Sequence, residues 1–225
     1  MEQITSPARR PGRPSAPVLS RERITAEALR MVTDQGSRNF SLNGLARALG
    51  VRASALYNHA SSKAVVMMWM QEQINTAIDV DCFARQGWRE ALLTWARSYR
   101  EAYAPFPMLA PVMAVQPVAD APVTLAMYEA VLDGLLRAGW QPEQAVDVIV
   151  AVEAFVFGSA LDLDAPADIF EPGSAAEAAP RFTAAARARL TRAGSTRRAS
   201  DDAFELGLRA LVGGLQPAPV AHQED

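Results

Sequence analysis

Residues 40–63 read FSLNGLARALGVRASALYNHASSK, and the fold is decided there. Ser41 carries the kind of short side-chain oxygen that caps a helix, and Leu42, Leu45, Ala46 and Leu49 behind it share one helical face. Gly50 ends that helix, and the next begins at Ala53 after only Val51 and Arg52. Two short helices joined so tightly must cross steeply, which is the helix-turn-helix arrangement. Leu45, Leu49, Val51 and Leu56 are placed to lock the pair together. The opposite face of the second helix, with Arg52, Ser54, Tyr57, Asn58 and His59, is left for a DNA major groove. Arginine pairs with guanine O6 and N7 and asparagine with adenine N6 and N7, so Arg52 and Asn58 are the preferred base readers.

Ser41, Leu42, Leu45, Ala46, Leu49, Gly50, Val51, Leu56, Tyr57, His59 and Lys63 stand in an order and spacing that resembles the tetracycline-repressor (TetR) family. Weaker similarity continues through Gly139 and Trp140, Phe155 to Gly158, and Phe204 to Leu215. Ala60 departs from the aromatic residue that many members carry after the histidine. The resemblance implies that Tyr57, His59 and Lys63 contact phosphates, with Ser41 and Asn43 near the backbone or groove edge. It also implies an all-α chain, with an N-terminal three-helix DNA-binding domain containing the helix-turn-helix and a C-terminal helical ligand-binding and dimerisation domain.

Working outward, the head extends back to Ser20, a cap for a first helix with Ile24, Ala28, Met31 and Val32 on one face and Gly36 at its end. Residues 1–63 hold ten basic side chains against four acidic ones, a head of +6 on a body of −9. Such a basic head meets a polyanion while the body avoids it. The division expected is a basic arm at 1–19, a DNA-binding domain at 20–63, a helical body at 64–216 and a tail at 217–225. Within the arm, RRPGRP (Arg9–Pro14) is similar to an AT-hook, which would lay Arg13 into an A·T-rich minor groove.

In the body, apolar periodic segments separated by proline and glycine breaks predict helices near 63–78, 88–104, 107–115, 121–138, 142–163, 179–193 and 201–215. The stretches 81–87, 164–178 and 194–200 read as loops. Helix 142–163 is apolar nearly all round, and helix 201–215 carries small Gly207 and Ala210 suited to close approach. These two are the expected dimer contact, through Phe157, Leu161, Phe204, Leu208 and Leu211, and the resemblance places a four-helix bundle on the same pair. A second copy is required because one helix-turn-helix reads one half-site.

Aromatic and methionine side chains between head and bundle suggest an apolar effector pocket, with Trp95, Tyr99, Tyr103, Met113, Met127 and Phe155 as candidates. Glu153 stands out, because a carboxylate inside an apolar run needs a partner or must shift its pKa. Three roles are open to it: binding ligand, pairing with Arg97 or Arg100, or facing the dimer contact.

The expected partners are double-stranded operator DNA, a small-molecule effector of unknown identity and a second copy of the chain, without cofactor, metal or membrane. A single cysteine, Cys82, cannot form an internal disulfide, and no secretory leader is evident, which points to the cytoplasm. The resemblance does not extend to tetracycline itself, since recognition of its magnesium complex in that family uses histidines in the body, and here the only histidines are His59 in the head and His222 in the tail. One alternative is a DNA-binding regulator whose body senses a protein partner or nothing. A weaker one is a helical enzyme using carboxylates such as Asp162 and Asp164, but no phosphate loop, metal-spaced cluster or body histidine supports it, so a non-enzyme is expected.

Overall fold

The structure, a computed structural model, describes residues 19–35, 39–163 and 165–217. Arg13 with its RRPGRP stretch, Gly36, Asp164 and His222 lie outside the described residues. The chain is all-α. Its helices are α1 (Arg21–Gln35), α2 (Leu42–Ala48), α3 (Ala53–Tyr57), α4 (Lys63–Asn75), α5 (Cys82–Arg85), α6 (Trp88–Tyr103), α7 (Ala110–Met113), α8 (Pro122–Arg137), α9 (Pro142–Asp162), α10 (Pro180–Ala193) and α11 (Thr196–Gly214).

The head is α1 to α3. Ser20 accepts the Arg23 backbone N–H and opens α1, and Ser41 accepts the Gly44 N–H at 3.1 Å to open α2. Gly50 adopts φ 69°, the left-handed conformation that lets the chain reverse without strain between α2 and α3. Leu45 and Leu56 are wholly buried and Leu49 nearly so, while Val51 is half-buried at the seam. Ala60 is also wholly buried, so at this departure from the family pattern a methyl group occupies the core. Arg23 of α1 donates to the Leu49 carbonyl at 3.3 Å, tying the end of α2 to the first helix.

α4 belongs to both halves of the molecule. It packs against α1 on the head side and against α8 and α6 on the body side. In the body, α6 and α8 lie against α9, and α11 packs on α6 and α9. By length and composition α9 would be long and apolar enough to cross a membrane, with mean hydropathy 1.7. Its inner residues, among them Val148, Val152 and Val156, are instead buried against these neighbours.

Several expected boundaries are corrected. α4 ends at Asn75, after which tighter i→i+3 bonds from Ala77 to Ile74 and from Ile78 to Asn75 carry the chain. The stretch 81–87 contains α5, a single turn too short for periodicity to reveal. The expected helix 107–115 is a 3₁₀ turn at Pro107–Leu109 running into the short α7, and a second 3₁₀ turn, Gly173–Ala178, occupies part of the stretch read as loop. α11 begins at Thr196 and not 201. Gly194, at φ 76°, terminates α10, and Ser195 at once caps α11 by accepting the Arg198 N–H, so two residues suffice for the break.

Candidate nucleic-acid interface and effector core

Each described residue of the expected DNA face is exposed: Ser41, Asn43, Arg52, Ser54, Tyr57, Asn58, His59 and Lys63. Tyr57, the one large apolar ring among them, is 48% exposed although its chain neighbour Leu56 is fully buried. Arg52 occupies the N-cap position of α3 without a side-chain cap bond, and Asn58 the C-cap position, so both side chains project from the ends of the second helix. The Ser41 hydroxyl is occupied as an acceptor by the cap of α2. Lys63, at the first position of α4, donates to the Phe40 carbonyl at 2.9 Å and lies 5.4 Å from the centre of the Phe40 ring. Ser62 caps α4 by accepting the Val65 N–H.

The body brings together a different set of aromatic residues from the one expected. Trp95, Tyr99 and Tyr103 descend one face of α6, fully buried, with neighbouring ring centres 5.5 and 5.4 Å apart. Phe157 completes the cluster, edge-on to Tyr99 at 5.4 Å and to Tyr103 at 5.3 Å. Its side chain, expected at a dimer contact, is thus packed inside the protomer. Phe155 moves the other way. It stacks on Phe204 at 5.5 Å and closes over Gly207, between α9 and α11 and away from Tyr99. A Cβ on Gly207 would meet that ring at 2.7 Å, so its smallness serves packing inside the protomer. Met113 and Met127 are buried as well.

Glu153 finds neither arginine. Its Oε1 accepts hydrogen bonds from Tyr99 Oη and Tyr128 Oη, both at 2.9 Å. Burial raises its pKa, and the two hydroxyl bonds partly offset that shift. Burial and the nearby carboxylate push Tyr99, Tyr103 and Tyr128 upward, so all three remain donors at physiological pH. Arg97 is paired in a fork with Glu205 at 2.6 and 2.7 Å. Arg100, nearly buried, reaches Ser159, Ser200 and Asp201 and covers the Phe204 ring.

One polar cluster lies outside the residues expected from the sequence. Glu72 of α4, 3% exposed, accepts the Val123 N–H at 2.8 Å and both the N–H and hydroxyl of Thr124 at 2.9 and 2.7 Å. Asn75 donates to Thr124 Oγ1 and accepts from Tyr103 Oη. Buried polar residues on a helix that also carries Met67, Met70 and Ile74 hint at such a network, but their partners lie about fifty residues away.

The outer faces of α9 and α11 form an apolar surface. Val146, Val150 and Leu161 are exposed on α9, Leu206 is 75% exposed on α11, and small residues including Ala154, Gly158, Ala203 and Ala210 lie between them. A recess of about 340 Å³ runs along the seam, floored in part by Gly158, Ser159 and Ala203. Of the residues expected at a dimer contact, Leu161 is on this surface, Leu211 is half-buried, and Phe204 and Leu208 are buried within the protomer.

Among the described residues no group of three or more histidine, cysteine, aspartate or glutamate side chains could hold a metal ion.

Comparison with known proteins agrees with this architecture. Residues 84–218 match the family described as "Tetracyclin repressor-like, C-terminal domain". The chain is 29% identical over 202 residues to the tetracycline repressor protein class C of Escherichia coli, covering 88% of this chain and 91% of that protein. It is 25% identical over 161 residues to the HTH-type transcriptional repressor DrrR1 of Streptomyces coeruleorubidus, a match that covers 71% of this chain and only 59% of that protein. The crystal structure of ActR of Streptomyces coelicolor, in complex with (S)-DNPA, superposes with a TM-score of 0.69 at 22% identity, over 87% of this chain and 96% of ActR. With a family match spanning more than half its length and the helix-turn-helix head in place, the chain belongs to the tetracycline-repressor family of transcriptional regulators.

Proposed function

We propose that this chain is a homodimeric transcriptional repressor that holds palindromic operator DNA through residues 41–63 and releases it when a small apolar effector enters the body. The observation that carries the reading is the division of α2 and α3 into two faces. Leu45, Leu49 and Leu56 are buried, while Arg52, Ser54, Tyr57, Asn58 and His59 stand exposed in a group whose hydrogen-bonding chemistry matches base edges and phosphates. The head would be residues 20–63 and the sensing body 64–216, with action in the cytoplasm, where its DNA is.

Two copies would meet through the apolar faces of α9 and α11. The exposed Val150 and Leu206, with glycine and alanine between them, suit helices that approach closely across a two-fold axis. The effector would act in the aromatic core around Tyr99, where the rings are in mutual contact and must part to admit a guest. Relatives within the fold support small-molecule sensing, ActR with (S)-DNPA among them.

α4 is the lever. A ligand that prefers a body with α4 tilted changes the separation of the two heads, whereas equal affinity for both states changes nothing. The test selects sequences bound from a random duplex pool and then screens small molecules for release. A palindromic site with half-sites about one helical turn apart is expected. A monomer that ignores duplex DNA at low salt overturns the proposal.

A further inference from the structure

The charge of Glu153 has no ion-pair partner among the described residues. Its Oε1 takes two neutral tyrosine donors, and among the described residues no arginine, lysine or histidine forms an ion pair with it. The two cations nearest in sequence to Tyr99 on α6 are committed elsewhere, Arg97 to Glu205 and Arg100 to Asp201. A carboxylate set among apolar groups without a partner cation is costly, and an alkyl side chain of similar size would pack there at no such cost.

The surroundings match one kind of partner. Tyr99 and Tyr128 present aromatic rings beside the carboxylate, with Tyr103 and Phe157 next in the cluster, and ring faces attract cations. Glu153 and Tyr128 are only partly buried, so the carboxylate lies at the margin of the core and not sealed within it. A second unmet demand lies close by. Trp95, whose ring centre is 5.5 Å from that of Tyr99, has a buried Nε1–H without an acceptor among the described residues.

Resting on the effector-responsive reading above, we infer that the effector site takes an organic cation, a protonated amine on an apolar body, with its charge on Glu153 and its apolar part among the Tyr99, Tyr103 and Tyr128 rings. An acceptor atom on such a ligand would satisfy Trp95.

The test uses the full chain and three amines with benzyl, naphthylmethyl and pyrenylmethyl skeletons, each paired with the alcohol of the same skeleton. Binding is followed at pH 7 by calorimetry in the parent and in Glu153→Gln, which keeps an acceptor for both tyrosines but carries no charge. At least one amine is expected to bind ten or more times tighter than its alcohol, and that preference should vanish in Glu153→Gln while its melting temperature does not fall. Equal binding of amine and alcohol, a preference that survives the substitution, or no amine binding at all overturns the inference. Operator release separates this outcome from the reading beneath it. If the alcohols and not the amines free the DNA, effector-responsive repression stands and the cation assignment falls, whereas a chain that never binds duplex DNA removes the repressor reading whatever the amines do.

Discussion

Glu72 Oε1 accepts two hydrogen bonds from Thr124, one from its backbone N–H and one from its hydroxyl, across 52 positions of sequence. Ala121, at the cap position of α8, has no side-chain oxygen to offer, so a carboxylate from α4 caps α8 in its place. The negative charge also sits at the helix end that favours it. This bond joins α4, the helix shared with the head, to α8 of the body.

Glu72→Ala should leave three donors of Val123 and Thr124 without their acceptor, lowering stability by about 1–3 kcal/mol in urea unfolding. It should also loosen the coupling of body to head, so that an effector that releases DNA from the parent binds Glu72→Ala yet releases it less completely. Full release at unchanged effector affinity would show that α4 takes its orders elsewhere.

On the proposed function, the exposed face of residues 41–63 would divide into base readers and phosphate anchors. Arg52→Ala and Asn58→Ala should each relax preference at particular base pairs by about 1–3 kcal/mol in competition binding. Lys63→Ala should weaken all sequences alike and flatten the dependence of log affinity on log salt by about one unit. The variant loses one bond to the Phe40 carbonyl, but Lys63 is exposed and alanine favours helix, so helical content should be kept.

Leu206→Glu should convert the dimer to monomer in sedimentation experiments without lowering helicity, because a side chain 75% exposed contributes little to the protomer core. Operator affinity at nanomolar protein should fall at least tenfold with it.

Gly207→Ala and Gly158→Ala form a contrasting pair. The first forces a methyl group toward the Phe155 ring and should destabilise by about 1–3 kcal/mol. The second meets nothing within 4 Å and should hold or raise protomer stability, since alanine favours helix by about 1 kcal/mol over glycine. Chemical denaturation distinguishes them.

Glu153 sets a pH dependence with a definite sign. Burial raises its folded pKa above the ordinary value of 4.5, facing Tyr99 and Tyr103 from α6 and Tyr128 from α8. Its contribution to stability is full below the unfolded value and is lost as pH rises through the folded one. Glu153→Gln should therefore melt higher than the parent at pH 7, with the gap narrowing as the solution is acidified toward pH 4.

The order of the long helices, the crossed pair at 41–59 and the exposed character of α3 were legible in the sequence, because caps, turn glycines and a 3.6-residue period act over a few neighbours; single-turn elements such as α5, and the start of α11 at Thr196, were not. Where a residue two or three positions away would satisfy the same pattern, the pattern was not enough. Phe155 and Phe157 differ by two positions in one apolar helix, and only the packing of both α6 and α11 against α9 sends the Phe157 ring to Tyr99 and the Phe155 ring to Phe204. For the same reason Val150 and Leu206 are left exposed on the outer faces of α9 and α11, while Leu208 turns inward.

By itself, then, the sequence determined an all-α chain with a tightly crossed helix pair near its N-terminus, since those features follow from short-range periodicity and capping, and its resemblance to the tetracycline-repressor family added the regulatory role. Tertiary structure alone decided what Glu72 and Glu153 touch. Their partners on α6 and α8 are distant along the chain, and a buried carboxylate takes whichever donors packing sets beside it.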